Sequence, residues 1–289
     1  MANYISAMAK SGDVICYIID STDIVAGAEQ IHKTSAAVTA ALGRLLTAAS
    51  LMGARLKGEK DSLNLQLKGN GPAGSFLAVS DSSGNVRGYV QNPLVELPLN
   101  QSGKLDVAGV VGKEGFLYVV RDFGSGEPYI GSTPIVSGEI AEDITHYYAT
   151  SEQTPTVCAL GVLVNTDLTV LNAGGFIVQL LPGAREEVIN VIEANISAMP
   201  PITQILSEGK SPEDIAGMLL EGFDYDILER RTTEYQCNCS PERVMRILAS
   251  IDAEDLEHMA QEQPVTEVDC HFCTKIYRFS SDEIQSLVK

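Results

Sequence analysis

The chain has 289 residues, enough to bury a core and to hold more than one domain. Apolar residues make up 45% of it, which excludes a disordered polymer. Its formal charge of −18 argues against nucleic acid and anionic membrane as partners, because both select for a basic surface. The charge is uneven: residues 181–289 hold 21 acids and 9 bases, net −12 of that total.

The opening MANYISAMAK has neither the basic start nor the apolar core of a secretion signal, so a cytoplasmic protein is expected. Residues 1–180 alternate strand-like runs with glycine-rich turns. Strands are predicted over 14–19, 63–67, 75–80, 86–90, 116–121, 159–164 and 168–180. Turn signals at 69–72, 83–85 and 124–126 separate them. Two helices stand out, one over 35–56 with Ser35 as N-cap and one over 141–151. The first is apolar nearly all round. It reads as a buried helix sandwiched by strands more than as a membrane span.

Past Leu181-Pro182-Gly183 the texture changes. Val188, Ile192 and Ile196 follow a helical spacing that Pro200-Pro201 ends. Ser211-Pro212-Glu213-Asp214 starts another helix, with Ser as N-cap, Pro at N1 and acids in the first turn. Ile215, Met218 and Leu219 form its apolar face. This divides the chain into a core domain (1–183), a linker of short amphipathic helices (184–230) and a small terminal module (231–289) whose main helix is predicted over 241–257 with Ser240 capping. The six apolar linker residues are candidates for contact with a partner. The plainer reading is that they dock the linker on the core.

Four cysteines sit in that module as a Cys-x-Cys, Cys237 and Cys239, and a Cys-x-x-Cys, Cys270 and Cys273. Four thiolates make a closed tetrahedral zinc site, with sulfurs ~2.3 Å from the metal. The 30 residues between the pairs allow a helix and a return. No fifth ligand is evident, which favours a structural site over a catalytic one. His258 and His271 are only substitutes for a cysteine. Arg243, Arg246, Lys275 and Arg278 lie close enough in sequence to offset the net charge of such a site. Both pairs are also short enough for a local disulfide. A passive zinc staple and a redox switch therefore both stand. In the second, oxidation removes ligands, and losing a metal that contributes on the order of 10–16 kcal/mol unfolds the module.

Other signals are weaker. Residues 69–74 match G-x-G-x-x-G, but a strand follows where a dinucleotide site needs a helix. Cys16 and Cys158 read as buried small hydrophobes. No catalytic triad or carboxylate pair stands out, so an enzyme is not expected. An enzyme in residues 1–180 with a passive zinc tail, and a zinc-ribbon nucleic-acid binder, remain the competing classes.

The order Cys-x-Cys, long gap, Cys-x-x-Cys resembles the heat-shock protein 33 family. Supporting stretches are Ala41-Leu42-Gly43-Arg44, Gly71-Pro72-Ala73-Gly74, Gly103-Lys104-Leu105-Asp106, YYATSEQ at 147–153 and AGGFIVQLLPG at 173–183. The resemblance covers essentially the whole chain. It implies an α+β fold with sheets packed around a buried helix, followed by a helical linker and a zinc module held by four cysteines. It also implies a cytoplasmic, ATP-independent holdase, inactive when reduced and zinc-bound. Oxidation would form the disulfides Cys237–Cys239 and Cys270–Cys273, release the zinc and unfold the linker and module. The active form, commonly a homodimer, would bind unfolding client proteins.

Overall fold

The computed structural model describes residues 1–288. The chain forms two compact units, residues 1–236 and the residues from Cys237 onward. The first unit runs β1 (Ala2–Ala9), β2 (Val14–Asp20), α1 (Thr22–His32), α2 (Ala36–Gly53), β3 (Ser62–Gly69), β4 (Ser75–Asp81), β5 (Val86–Val90), α3 (Val107–Val111), β6 (Gly115–Asp122), β7 (Tyr129–Pro134), α4 (Ala141–Thr150), β8 (Thr156–Val164), β9 (Val170–Leu180), α5 (Glu186–Ala198), α6 (Ile202–Ser207), α7 (Pro212–Leu219) and β10 (Tyr225–Thr233). Two five-stranded antiparallel sheets organise it, in the orders β10-β1-β2-β9-β8 and β5-β4-β3-β6-β7.

Helix α2 lies between the two sheets, touching β3, β4 and β5 of one and β2, β8 and β9 of the other. It is long and apolar enough to cross a membrane, but 16 of its 18 residues are buried inside the protein. Its small side chains allow close approach on all sides. A Cβ on Gly43 would lie 2.6 Å from Val25 Cγ1 and 2.9 Å from Val162 Cγ2. Ser35 stands at the N-cap, but its hydroxyl makes no cap bond. It donates to Val95 O at 2.6 Å instead, tying the helix start to the 91–106 loop.

The G-x-G-x-x-G stretch is the turn between β3 and β4, as the strand after it requires. Strands β1, β7 and β10 and helices α1 and α3 were not predicted. Strand β10 falls within the expected linker and the start of the expected module. It alternates half-buried and exposed residues and pairs with β1 along its whole length.

The outer face of the first sheet carries Ile5, Val14, Ile18 and Val178, and α5 to α7 cover it. Val188, Ile192, Ile215 and Leu219 are buried there, with Ile196 and Met218 half-buried against the same cluster. The expected start of α7 is present in full. Ser211 Oγ accepts from Asp214 N, Asp214 Oδ2 accepts from Ser211 N, and Pro212 is the first helical residue.

Downstream of β10 the chain stays on the core. Val86 N donates to Glu234 O at 2.9 Å and Gln236 N donates to Val86 O at 2.9 Å. Tyr235 Oη donates to Gly88 O at 2.8 Å and lies 3.1 Å from His32 Nε2. The residue two before Cys237 is thereby held to the β5 edge of the second sheet.

The second unit contains α8 (Pro241–Leu248), α9 (Ala253–Glu262), β11 (Val265–Asp269), β12 (Ile276–Ser280) and α10 (Ser281–Gln285). Ser240 caps α8 as expected, accepting from Arg243 N at 3.2 Å. The single helix predicted over 241–257 is two. Ser250 Oγ bonds back to Ile247 O at 2.6 Å, and Asp252 adopts an extended conformation that starts α9 afresh. The return is a hairpin of β11 and β12. The buried apolar core of this unit is small, comprising Val244, Leu248, Leu256, Tyr277, Phe279 and Ile284.

Candidate metal centre

Two local structures present the cysteines. Cys237 and Cys239 lie in the extended segment before the capped start of α8. Cys270 and Cys273 sit on the β11–β12 turn. There Cys273 N and Thr274 N both donate to Cys270 O, at 3.2 and 2.8 Å, and Cys270 N donates to Lys275 O at 3.0 Å. Thr274 adopts a left-handed conformation, φ 57°, that closes the turn. Such a knuckle turns both sulfurs to one side.

The four sulfurs converge, all within 4.8 Å of one another. Across the motifs, Cys237 Sγ lies 3.6 Å from Cys270 Sγ and Cys239 Sγ lies 3.4 Å from Cys273 Sγ. Four sulfurs at ~2.3 Å from a central zinc stand about 3.8 Å apart, so the spacing fits a tetrahedral ion. A disulfide needs about 2.05 Å, and all four thiols are free. The donor set, four sulfurs with no carboxylate or imidazole, suits zinc. The residues present therefore fit the group that the spacing implied.

The surroundings tune the sulfurs unequally. Burial pushes the Cys239 thiol up, but hydrogen bonds from Tyr277 and the other three cysteines outweigh it and bring it down to about 7. Burial pushes Cys237 and Cys273 up. Tyr277 Oη donates to Cys239 Sγ at 3.0 Å, and that bond pushes its own phenol up. Sequence reasoning missed Tyr277. Its position in β12, buried on alternate residues with Phe279, would have been legible once the hairpin was.

Three of the four nearby cations have partners within this unit. Arg243 Nη1 donates to Asn238 Oδ1 at 3.1 Å and Arg278 pairs with Glu267 at 2.7 Å. Lys275 Nζ lies over the Tyr277 ring, 5.0 Å from its centroid. His258 pairs with Glu262 at 3.5 Å and is not one of the clustered ligands, nor is His271. Cys16 and Cys158 are buried in strands far along the chain from this group, and burial pushes the Cys16 thiol up to about 12.

Comparison with known proteins bears on the whole chain. The family model described as Hsp33 protein matches residues 3–280. The 33 kDa chaperonin of Acetivibrio thermocellus is 49% identical over 290 residues, covering 100% of this chain and 98% of that protein. The 33 kDa chaperonin of Oceanobacillus iheyensis is 46% identical over 283 residues, covering 98% of each. The crystal structure of the 33 kDa chaperonin from Thermotoga maritima superposes with a TM-score of 0.90 at 38% identity, over 99% of this chain and 97% of that one. The chain belongs to the Hsp33 family, a family of chaperones.

Proposed function

We propose that this protein is a redox-regulated holdase: zinc-bound and inactive when reduced, client-binding when oxidised. The observation that carries the reading is the convergence of four free sulfurs in a unit with a small apolar core. A bound zinc would supply cross-linking, holding Cys237, Cys239, Cys270 and Cys273 as thiolates and joining the start of α8 to the hairpin turn. Metal and fold are then one equilibrium.

A two-electron oxidant such as peroxide or hypochlorous acid takes two electrons from each neighbouring pair. Cys237–Cys239 and Cys270–Cys273 each close as a disulfide, and no ligand is left to hold the metal. Without it, six buried apolar side chains cannot offset the conformational entropy of the unit, and it unfolds. The linker region 184–230 is the proposed output. Val188, Ile192, Ile196, Ile215, Met218 and Leu219 are docked on the first sheet in the reduced form. Release of α5 to α7 uncovers those faces and the sheet beneath for unfolding clients. We further propose a cytoplasmic protein, without enzymatic activity, that acts as a homodimer when oxidised.

The test is zinc release during oxidation, followed with a chromogenic chelator, together with light scattering of a heat-aggregating client. Release near one zinc per chain with suppressed scattering supports the proposal. Release without suppression leaves a passive zinc staple.

A further inference from the structure

A cleft of about 360 Å³ in the first unit contains no residue of the metal centre or of the linker helices. Its lining combines the apolar side chains Met52, Leu56 and Phe123 with the cations Arg55, Lys57 and Arg121. In a chain of net charge −18, this grouping of cations is not a consequence of composition.

Arg55 is the unusual member. Its guanidinium is held in place on several sides. Nη1 donates to Tyr148 Oη at 2.5 Å, and Nη2 donates to Gln179 Oε1 at 2.5 Å. Its central carbon lies 4.6 Å from the Tyr17 ring centroid and 5.4 Å from that of Tyr148. Yet no ion pair among the described residues includes it. Its buried Nε has no hydrogen-bond partner. Burial pushes the Tyr148 phenol up, so Tyr148 stays neutral and does not act as a counter-ion.

The acids lining the cleft are already engaged. Glu152 pairs with Arg121 at 3.1 Å and accepts from Tyr147 Oη at 2.6 Å. Asp61 Oδ2 accepts from Gly58 N at 2.9 Å. A rigidly held guanidinium that keeps its charge, lacks a carboxylate and lines a cleft is arranged to receive one. Met52, Leu56 and Phe123 provide apolar surface in the same cleft.

We propose that this cleft binds a small ligand bearing one carboxylate on an apolar body, with Arg55 taking the carboxylate and Met52, Leu56 and Phe123 the body. A free aliphatic acid and the C-terminus of a peptide share this chemistry. The site uses no cysteine and does not depend on the redox reading.

The test uses the full-length, reduced, zinc-loaded protein, with arginine Nε–Hε signals followed by NMR. The signal of Arg55 is assigned by its loss in Arg55→Lys or, if that variant does not fold, by through-bond correlation. Three probes are titrated to about 10 mM, which fills even a millimolar site: octanoate, acetyl-Ala-Leu with a free carboxylate, and the same dipeptide as its carboxamide. Saturable shifts with either carboxylate and none with the carboxamide support the proposal. Octanoate alone points to free acids, and the dipeptide alone to chain ends. Phe123 is 50% exposed, so Phe123→Ser leaves the core intact and should raise the dissociation constant about tenfold. No shift with any probe, equal response to the carboxamide, or unchanged affinity in Phe123→Ser overturns it and leaves Arg55 as a brace between Tyr148 and Gln179.

Discussion

Tyr277 Oη donates to Cys239 Sγ at 3.0 Å, so one side chain belongs to both the core of the small unit and the four-cysteine cluster. Disorder in either is transmitted directly to the other. In the proposed zinc-bound form the sulfur is already a thiolate, so the hydrogen bond no longer raises its thiolate fraction; it lowers the sulfur's nucleophilicity and restrains its attack on an oxidant. Tyr277→Phe keeps the ring in the core and removes the donor. Zinc release under peroxide should become several-fold faster, with little change in zinc content before oxidation. Chelator absorbance after peroxide addition checks both.

In the proposed zinc-bound form, removing the metal should unfold the small unit and leave the two-sheet core of the first unit standing. The six buried apolar residues of this unit, Tyr277 among them, are too few to hold about 50 residues against chain entropy. Hydrogen exchange after treatment with a strong chelator should show rapid exchange from Cys237 onward, while β3, β4 and β9 remain protected.

Ile215 is fully buried between α7 and the first sheet. Ile215→Ala should cost about 2–5 kcal/mol of docking. If linker release is the output of the switch, this variant suppresses client aggregation at lower oxidant or temperature than the parent chain. Light scattering across an oxidant series measures the shift.

Gly43 sets two effects of Gly43→Ala against each other. Alanine favours the helix by about 1 kcal/mol. Its Cβ, however, would meet Val25 and Val162 together, at 2.6 and 2.9 Å. Overpacking costs about 1–3 kcal/mol and should prevail, because α2 is enclosed by both sheets and has nowhere to shift. Denaturant unfolding should give a lower midpoint.

His32 is held neutral by burial, which lowers its pKa below the ordinary 6.5, although the bond to Gly88 O opposes this. The folded form therefore binds fewer protons than the unfolded form just below pH 6.5. Its contribution is complete above that value and is lost as pH falls through the interval down to the folded pKa. Attachment of residues 234–236 to β5 should weaken in mild acid. Faster exchange of the Val86 and Gln236 amides below pH 6.5, abolished in His32→Gln, is the expected outcome.

Much of the cysteine cluster was legible because its information is local. Cys-x-Cys and Cys-x-x-Cys each deliver two sulfurs through a few backbone angles, and two such motifs at this spacing have few other uses. The α2 helix was legible for a related reason: a run of small apolar residues around every face requires cover on every face. Ser211-Pro212 and Ser240-Pro241 mark helix starts by chemistry contained within four residues.

What the sequence could not determine depends on partners distant in the chain. Strand β10 reads as part of a linker until β1, more than 200 residues earlier, is seen beside it. Strand β1 has too few β-branched residues to declare itself; pairing with β2 and β10 decides its conformation, as expected where propensity is a weaker force than burial and cross-strand contact. The Tyr277–Cys239 and Tyr235–His32 contacts join residues separated by 38 and 203 positions. Short-range patterns of hydrophobicity and capping located α2, the starts of α7 and α8 and the cysteine motifs. Only tertiary packing decided that the linker faces are covered, that four sulfurs meet, and that Arg55 is buried without a carboxylate.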